Sequence, residues 1–154
     1  MIFWSILSVL LVVSDRVTKF LTVNNLDLGE SITVIPKVLD FTYVKNTGAA
    51  FSILENATWV LSIVSVIFCV LIPIYCFVKK PQSKLLKTAL VLIFSGALGN
   101  AIDRIFLGYV IDFIETIFIS FPVFNVADIL ITVGAGLLIC YELFFNPENE
   151  KGEK

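Results

Sequence analysis

Long apolar stretches alternate with short polar ones along this chain, and the pattern predicts four membrane-spanning helices. The hydrocarbon core of a bilayer is about 30 Å thick, and a helix needs about 20 mostly apolar residues to cross it. The first stretch runs from about residue 2 to 21 and carries no charge before Asp15. The second covers about 57 to 78, uncharged throughout, with Pro73 near its end. The third, about 85 to 107, has Lys87 at one end and Asp103-Arg104 at the other. The fourth, about 121 to 145, has Asp128 near its start and Glu142 near its end. The first stretch lacks the basic start and the A-x-A-like site of a cleaved leader, so it is expected to remain as a span. Two longer polar segments separate these spans, at about 22–56 and 108–120. In the first of them, SITVI and LDFTYV are β-prone runs divided by Pro36, which predicts a small sheet or hairpin. The expected fold class is an all-α membrane protein with four transmembrane helices and a small extracytoplasmic β-containing loop region. Residues 1–154 are expected to form a single integral membrane domain.

Composition agrees with the pattern. Of 154 residues, 58% are hydrophobic and 16% charged, whereas soluble domains carry about 45–50% and about 25%. The mean hydropathy is +0.95. A net charge of −2, with no basic stripe, argues against nucleic acid as a partner. The chain contains no histidine, which removes Ser-His-Asp and Cys-His catalysis and makes a zinc site improbable, so no metal or cofactor is expected. Cys69, Cys76 and Cys140 all lie in apolar stretches. The first two are two helical turns apart, roughly 10 Å, too far for a disulfide. They read as packing or lipid-facing residues.

Orientation follows from lysine and arginine in short loops. The link KKPQSKLLK holds Lys79, Lys80, Lys84 and Lys87, and the C-terminal tail holds Lys151 and Lys154. Both are expected on the cytoplasmic side, and four spans place the N-terminus there too. The segments 22–56 and 108–120 then face outward.

Ionisable residues within spans are costly and mark a functional site by default. Here they gather toward one leaflet. Asp15 and Lys19, four residues apart, share a helix face at the outer end of the first span. Gly96, Asn100, Asp103 and Arg104 share one near the outer end of the third, and Asn125, Asp128 and Thr132 do so at the start of the fourth. Asp112 lies in the outward loop between the last two groups. Each group has a plainer explanation. Asp15-Lys19 reads equally as an interfacial ion pair, Asp103-Arg104 as a pair snorkelling to the surface, and Asp112 as a loop acid. Gly96, Gly99, Gly134 and Gly136 read as close helix packing, and NTGAAFS as a turn into the second span. Asp128 is harder to dismiss, because no charge follows it before Glu142. Two carboxylates held close together share a proton, so that one activates water while the other protonates a carbonyl oxygen. That chemistry needs no histidine. A Ser-Lys pair from Ser14 and Lys19 is disfavoured, since a spacing of five is poor for one helix face. Pattern alone ranks Asp103 level with Asp112 and Asp128.

Taken together, SDRVTKF (14–20), NTGAAFS (46–52), GALGNAIDR (96–104), VIDFI (110–114) and FNVADI (124–129) resemble the bacterial lipoprotein signal peptidases, or signal peptidase II. The likeness runs from about residue 10 to 135, with five blocks in order. It implies a membrane aspartic endopeptidase that removes the signal peptide of a diacylglyceryl-modified prolipoprotein, cutting before the lipidated cysteine. By motif, Asp112 and Asp128 would be the catalytic pair, and Asp103 would not. Asn100 and Arg104 would line the substrate pocket and orient the pair. Asn125 would be a polar neighbour of the second aspartate. Asn46 would contact substrate or cyclic-peptide inhibitors such as globomycin, and Asp15 and Lys19 would shape the site wall beside Gly96. The resemblance also implies membrane lipids as surroundings, a bacterial cytoplasmic-membrane location and an active site toward the extracytoplasmic side; a monomer is the default. A small four-span proton- or ion-coupled transporter is the alternative, although the long segment 22–56 does not suit it. A non-catalytic assembly protein is a third reading.

Overall fold

The computed structural model describes residues 2–48 and 58–146. Positions 49–52 of the NTGAAFS motif and the first residue of the second expected span lie outside them. The elements in chain order are α1 (Ile2–Asn25), β1 (Ser31–Ile35), β2 (Leu39–Asn46), α2 (Thr58–Lys79), α3 (Lys84–Leu107), β3 (Val110–Thr116) and α4 (Val126–Phe144).

Three of these helices, α2, α3 and α4, are long and apolar enough to cross a membrane. α1 has 24 residues but carries Asp15, Arg16 and Lys19. It also outruns the expected span, because the side chains of Asn24 and Asn25 donate to the carbonyls of Phe20 and Leu21, both at 2.7 Å. The helix α3 lies at the centre and touches the other three. It buries Ala89, Leu90, Ala97 and Ala101, whereas α2 shows most of its Ile, Val and Phe side chains outward. A helix that is apolar all round suits hydrocarbon as its surroundings. Cys69, Cys76 and Cys140 are free thiols, partly buried.

The expected hairpin forms. Strands β1 and β2 pair antiparallel around Pro36 and Lys37, closed by Val38 N–H donating to Ile35 O at 3.0 Å. Lys37 takes a φ of 63°, the region glycine prefers. The segment 108–120, expected as loop, contains a third strand instead. β3 joins the far edge of β2, giving the order β1-β2-β3. Its VIDFIET run gives no alternation signal, because Val110, Ile111, Asp112 and Phe113 are all buried. Strands covered on both faces read as continuous apolar runs. Between Phe41 and Val44 the β2 strand holds one extra residue opposite β3, a bulge that sets the pairing of Val44 with Asp112.

The start of α4 also differs from expectation. The fourth span was expected from about residue 121, yet the helix begins at Val126 with Asn125 as its N-cap. Pro122 has no N–H to continue a helix backward. Phe124 pairs with β3 instead, its N–H donating to Ile114 O at 3.1 Å and its carbonyl accepting from Ile114 N–H at 2.8 Å. This bridge ties the entry of α4 to the strand that carries Asp112.

α3 and α4 meet at small residues. A Cβ built on Gly96 would lie 2.3 Å from Ala127 O, and one on Gly134 would lie 2.9 Å from Ala89 O. Nothing lies within 4 Å of one on Gly136. Gly96→Ala should therefore force the helices apart and destabilise by about 1–3 kcal/mol, the range for overpacking. Gly136→Ala should be neutral. Thermal unfolding of both variants in detergent checks this, and equal melting temperatures would contradict it.

Candidate active site

The site begins with a lysine in the wrong solvent. Lys19 sits on α1, fully buried, and an uncompensated ammonium there would be prohibitive. Three oxygens compensate it: Asp15 Oδ2 at 3.0 Å, Asp103 Oδ2 at 2.8 Å and Asn100 Oδ1 at 3.0 Å. Asp15 and Lys19 are thus the expected i,i+4 pair. Arg16, which sequence reasoning passed over, makes a second ion pair with Asp103 through Oδ1. The signal was available, since a cation inside an apolar span calls for an acid. Two aspartates and two cations leave the cluster neutral. Its acids reach further: Asp15 Oδ1 accepts from Ala127 N–H at 3.0 Å on α4, and Asp103 Oδ2 from Ile111 N–H at 3.3 Å on β3.

Lys19 also fixes the sense of an amide. An ammonium only donates, so the Asn100 atom facing it must be the oxygen. The Asn100 NH₂ then points the other way and donates to Asp128 Oδ1 at 2.8 Å. Asn125 is locked by the same logic. Its Oδ1 accepts from Asp128 N–H at 3.0 Å in a capping box, whose reciprocal arm runs from Asn125 N–H to Asp128 Oδ2 at 3.2 Å. The Asn125 NH₂ is left to donate to Asp112 Oδ1 at 2.6 Å and to Asn100 Oδ1 at 3.2 Å. Asn46, at the end of β2, donates to Asp112 Oδ2 at 2.8 Å, and its own oxygen accepts from Gly48 N–H at 2.9 Å. Each of the four carboxyl oxygens of Asp112 and Asp128 therefore receives an N–H.

A cavity of about 420 Å³ opens over this network, lined by Asn46, Arg104, Val110, Asp112, Asp128 and Thr132 and walled by Phe121, Phe124, Ile129 and Ile131. A few convergent polar groups in an apolar cleft are the usual make-up of a small-ligand site. Arg104, in this lining, donates from Nη2 to Gly48 O at 3.5 Å. Asp103, which pattern ranked level with Asp112 and Asp128, is turned away into the Lys19-Arg16 cluster. Gly96 does not line the cavity but packs on Ala127. Among the described residues, no three His, Cys, Asp or Glu side chains gather as metal ligands.

A family model described as Signal peptidase (SPase) II matches residues 7–144. The chain belongs to this family. The lipoprotein signal peptidase of Clostridium tetani is 42% identical over 139 residues, covering 88% of this chain and 89% of that protein. That of Enterococcus faecalis is 38% identical over 154 residues, covering 99% and 95%. A solved bacterial membrane enzyme superposes with a TM-score of 0.86 at 38% identity, covering 93% of this chain and 88% of the other. A second reaches 0.84 at 37% identity, covering 95% and 96%. The protein is a multi-pass membrane hydrolase of the aspartic type, and its reaction is removal of the signal peptide from prolipoproteins. Nothing in these likenesses supports the transporter alternative.

Asp112 is 1% exposed. Burial, and then the charge of Asp128, push its carboxyl up from an ordinary 3.8 to about 7, against the pull of the Asn46 and Asn125 hydrogen bonds. The folded chain thus holds a proton on Asp112 between about pH 4 and 7 that the unfolded chain has lost. Where the native state binds the extra proton, stability falls as pH rises. Raising pH through that window should lower the melting temperature, and Asp112→Asn should flatten the slope. A pH series of unfolding curves checks it; parallel slopes in both proteins would contradict it.

Proposed function

We propose that Asp112 and Asp128 are the catalytic pair, with Asp112 holding the shared proton. The observation that carries this is Asn125. One residue donates its side-chain amide to Asp112 and caps α4 around Asp128, so both acids meet over one cavity. The raised proton affinity of Asp112 supports its role as acid. Asp128 receives a backbone N–H in the first turn of α4, where the helix favours negative charge.

Ionised Asp128 takes a proton from water as the water oxygen bonds to the scissile carbonyl carbon, and Asp112 gives its proton to the carbonyl oxygen. In the resulting diol, Asp128 returns its proton to the amide nitrogen and Asp112 takes one from a hydroxyl. The C–N bond then breaks, leaving an acid, an amine and the starting protonation state. Asn100 and Asn125 keep the carboxylates oriented, and Asn46 and Arg104 hold the substrate backbone or a cyclic-peptide inhibitor such as globomycin at the rim.

The substrate is a diacylglyceryl-modified prolipoprotein, cut before its lipidated cysteine, whose chains remain among the membrane lipids. The chain is one integral membrane domain and acts as a monomer. α1 is the fourth span: its 24 residues reach about 36 Å, and its charges are met by Asp103 inside the bundle rather than by lipid. With the basic α2–α3 link on the cytoplasmic side, both termini lie there and the cavity opens at the extracytoplasmic surface.

Asp112→Asn and Asp128→Asn should each lower cleavage of a diacylglyceryl-modified prolipoprotein by at least about 100-fold, the lower range for losing general acid–base catalysis. The rate of the unaltered enzyme should decline above about pH 7 as Asp112 loses its proton. Full activity in either variant would end the assignment.

A further inference from the structure

At the opposite end of the bundle from Asp112, a second cavity of about 540 Å³ lies between α1, α2 and α3. That volume is within the roughly 300–1,000 Å³ of small-ligand sites. Its walls are apolar: Trp4 and Val9 of α1, Phe77 of α2, and Leu90 and Phe94 of α3. Ser8, hydrogen-bonded to Ser95 at 3.0 Å, stands on its α1 side. The charged residue in its lining is Lys87, on the first turn of α3. Among the described residues no acid lines it, and the sequence from residue 56 to 102 contains none.

The link between α2 and α3 adds to the positive field. Lys79, Lys80 and Lys84 are exposed there. Lys80 takes a φ of 45° as the chain leaves α2, its N–H bonded to Cys76 O at 3.1 Å. The N-terminus of α3 begins at the same place, capped by Ser83 accepting from Leu86 N–H at 3.3 Å. The positive end of the α3 dipole favours an anion there. An apolar slot with a lysine set in its wall and cations around it fits an amphiphile with an alkyl chain and an anionic head.

We propose that this groove is a binding site for an anionic phospholipid, one acyl chain lying against Trp4, Phe77 and Phe94 with the phosphate on Lys87. The site is separate from the peptidase cavity and does not depend on how the aspartates are assigned. An anionic lipid bound here would bridge α1 to the α2–α3 hairpin, across a gap that side chains leave unfilled.

The chain has two tryptophans, Trp4 and Trp59, so Trp59→Phe leaves Trp4 as the reporter. The Trp59→Phe protein is placed in phosphatidylcholine bilayers containing a minor fraction of lipid with brominated chains, either phosphatidylglycerol or phosphatidylcholine. Brominated phosphatidylglycerol should quench Trp4 with roughly fivefold higher apparent affinity, the preference of one lysine for a net-anionic headgroup over a zwitterionic one, whose choline offsets its phosphate. Adding Lys87→Gln should remove that preference, and adding Lys80→Gln should leave most of it. Equal quenching by the two headgroups overturns the proposal. So does equal loss in the two lysine variants, which would mark a diffuse basic surface. Should Lys87→Gln fail to fold, added salt decides: a preference that salt does not weaken is not electrostatic and overturns it as well.

Discussion

A single buried ammonium organises the end of the molecule beneath the Asp112–Asp128 cavity. Lys19 gathers Asp15, Asp103 and Asn100 around it. The two acids then grip α4 through Ala127 N–H and β3 through Ile111 N–H. Four elements thus converge on one charge. Breaking such a pair by removing a partner leaves a buried ion stranded, which costs several kcal/mol, so the arrangement is all or none. Its influence does not stop at stability. Because the ammonium can only donate, it dictates which way Asn100 faces, and through Asn100 and Asn125 the polarity of the amides that hold both aspartates.

The large features were legible in the chain because they follow from periodicity and from the cost of charge in lipid. Helices α2 and α3 lie within a residue or two of the apolar stretches that announced them. The hairpin around Pro36 was readable from two β-prone runs. The polar residues expected to cluster do converge, and Asn46, Asn100, Asp112, Asn125 and Asp128 form one hydrogen-bonded set.

What stayed hidden was hidden for physical reasons. A strand covered on both faces lacks alternation, so β3 read as loop. The start of α4 depends on a backbone bridge between Phe124 and Ile114, a pairing of main-chain groups that side-chain periodicity does not register. Pattern could not separate Asp103 from Asp112 and Asp128, because the difference lies in which neighbour each meets: Asp103 meets two cations, the others meet amides. Gly96 illustrates the converse. It stands in a motif with site residues, yet its place is a seam where Ala127 O leaves no room for a side chain.

The capping box on α4 gives Asp128 two employers. The carboxylate that faces the cavity is also the acceptor for the N–H that opens the helix. A glutamate there would keep the charge and could still close the capping box, but its extra methylene would move the carboxylate away from the Asn100 amide that it now meets at 2.8 Å. A serine would keep a cap and abandon the acid. Few side chains would both close the cap and present a carboxylate to the cavity at that depth, so the start of α4 by itself narrows what position 128 can hold.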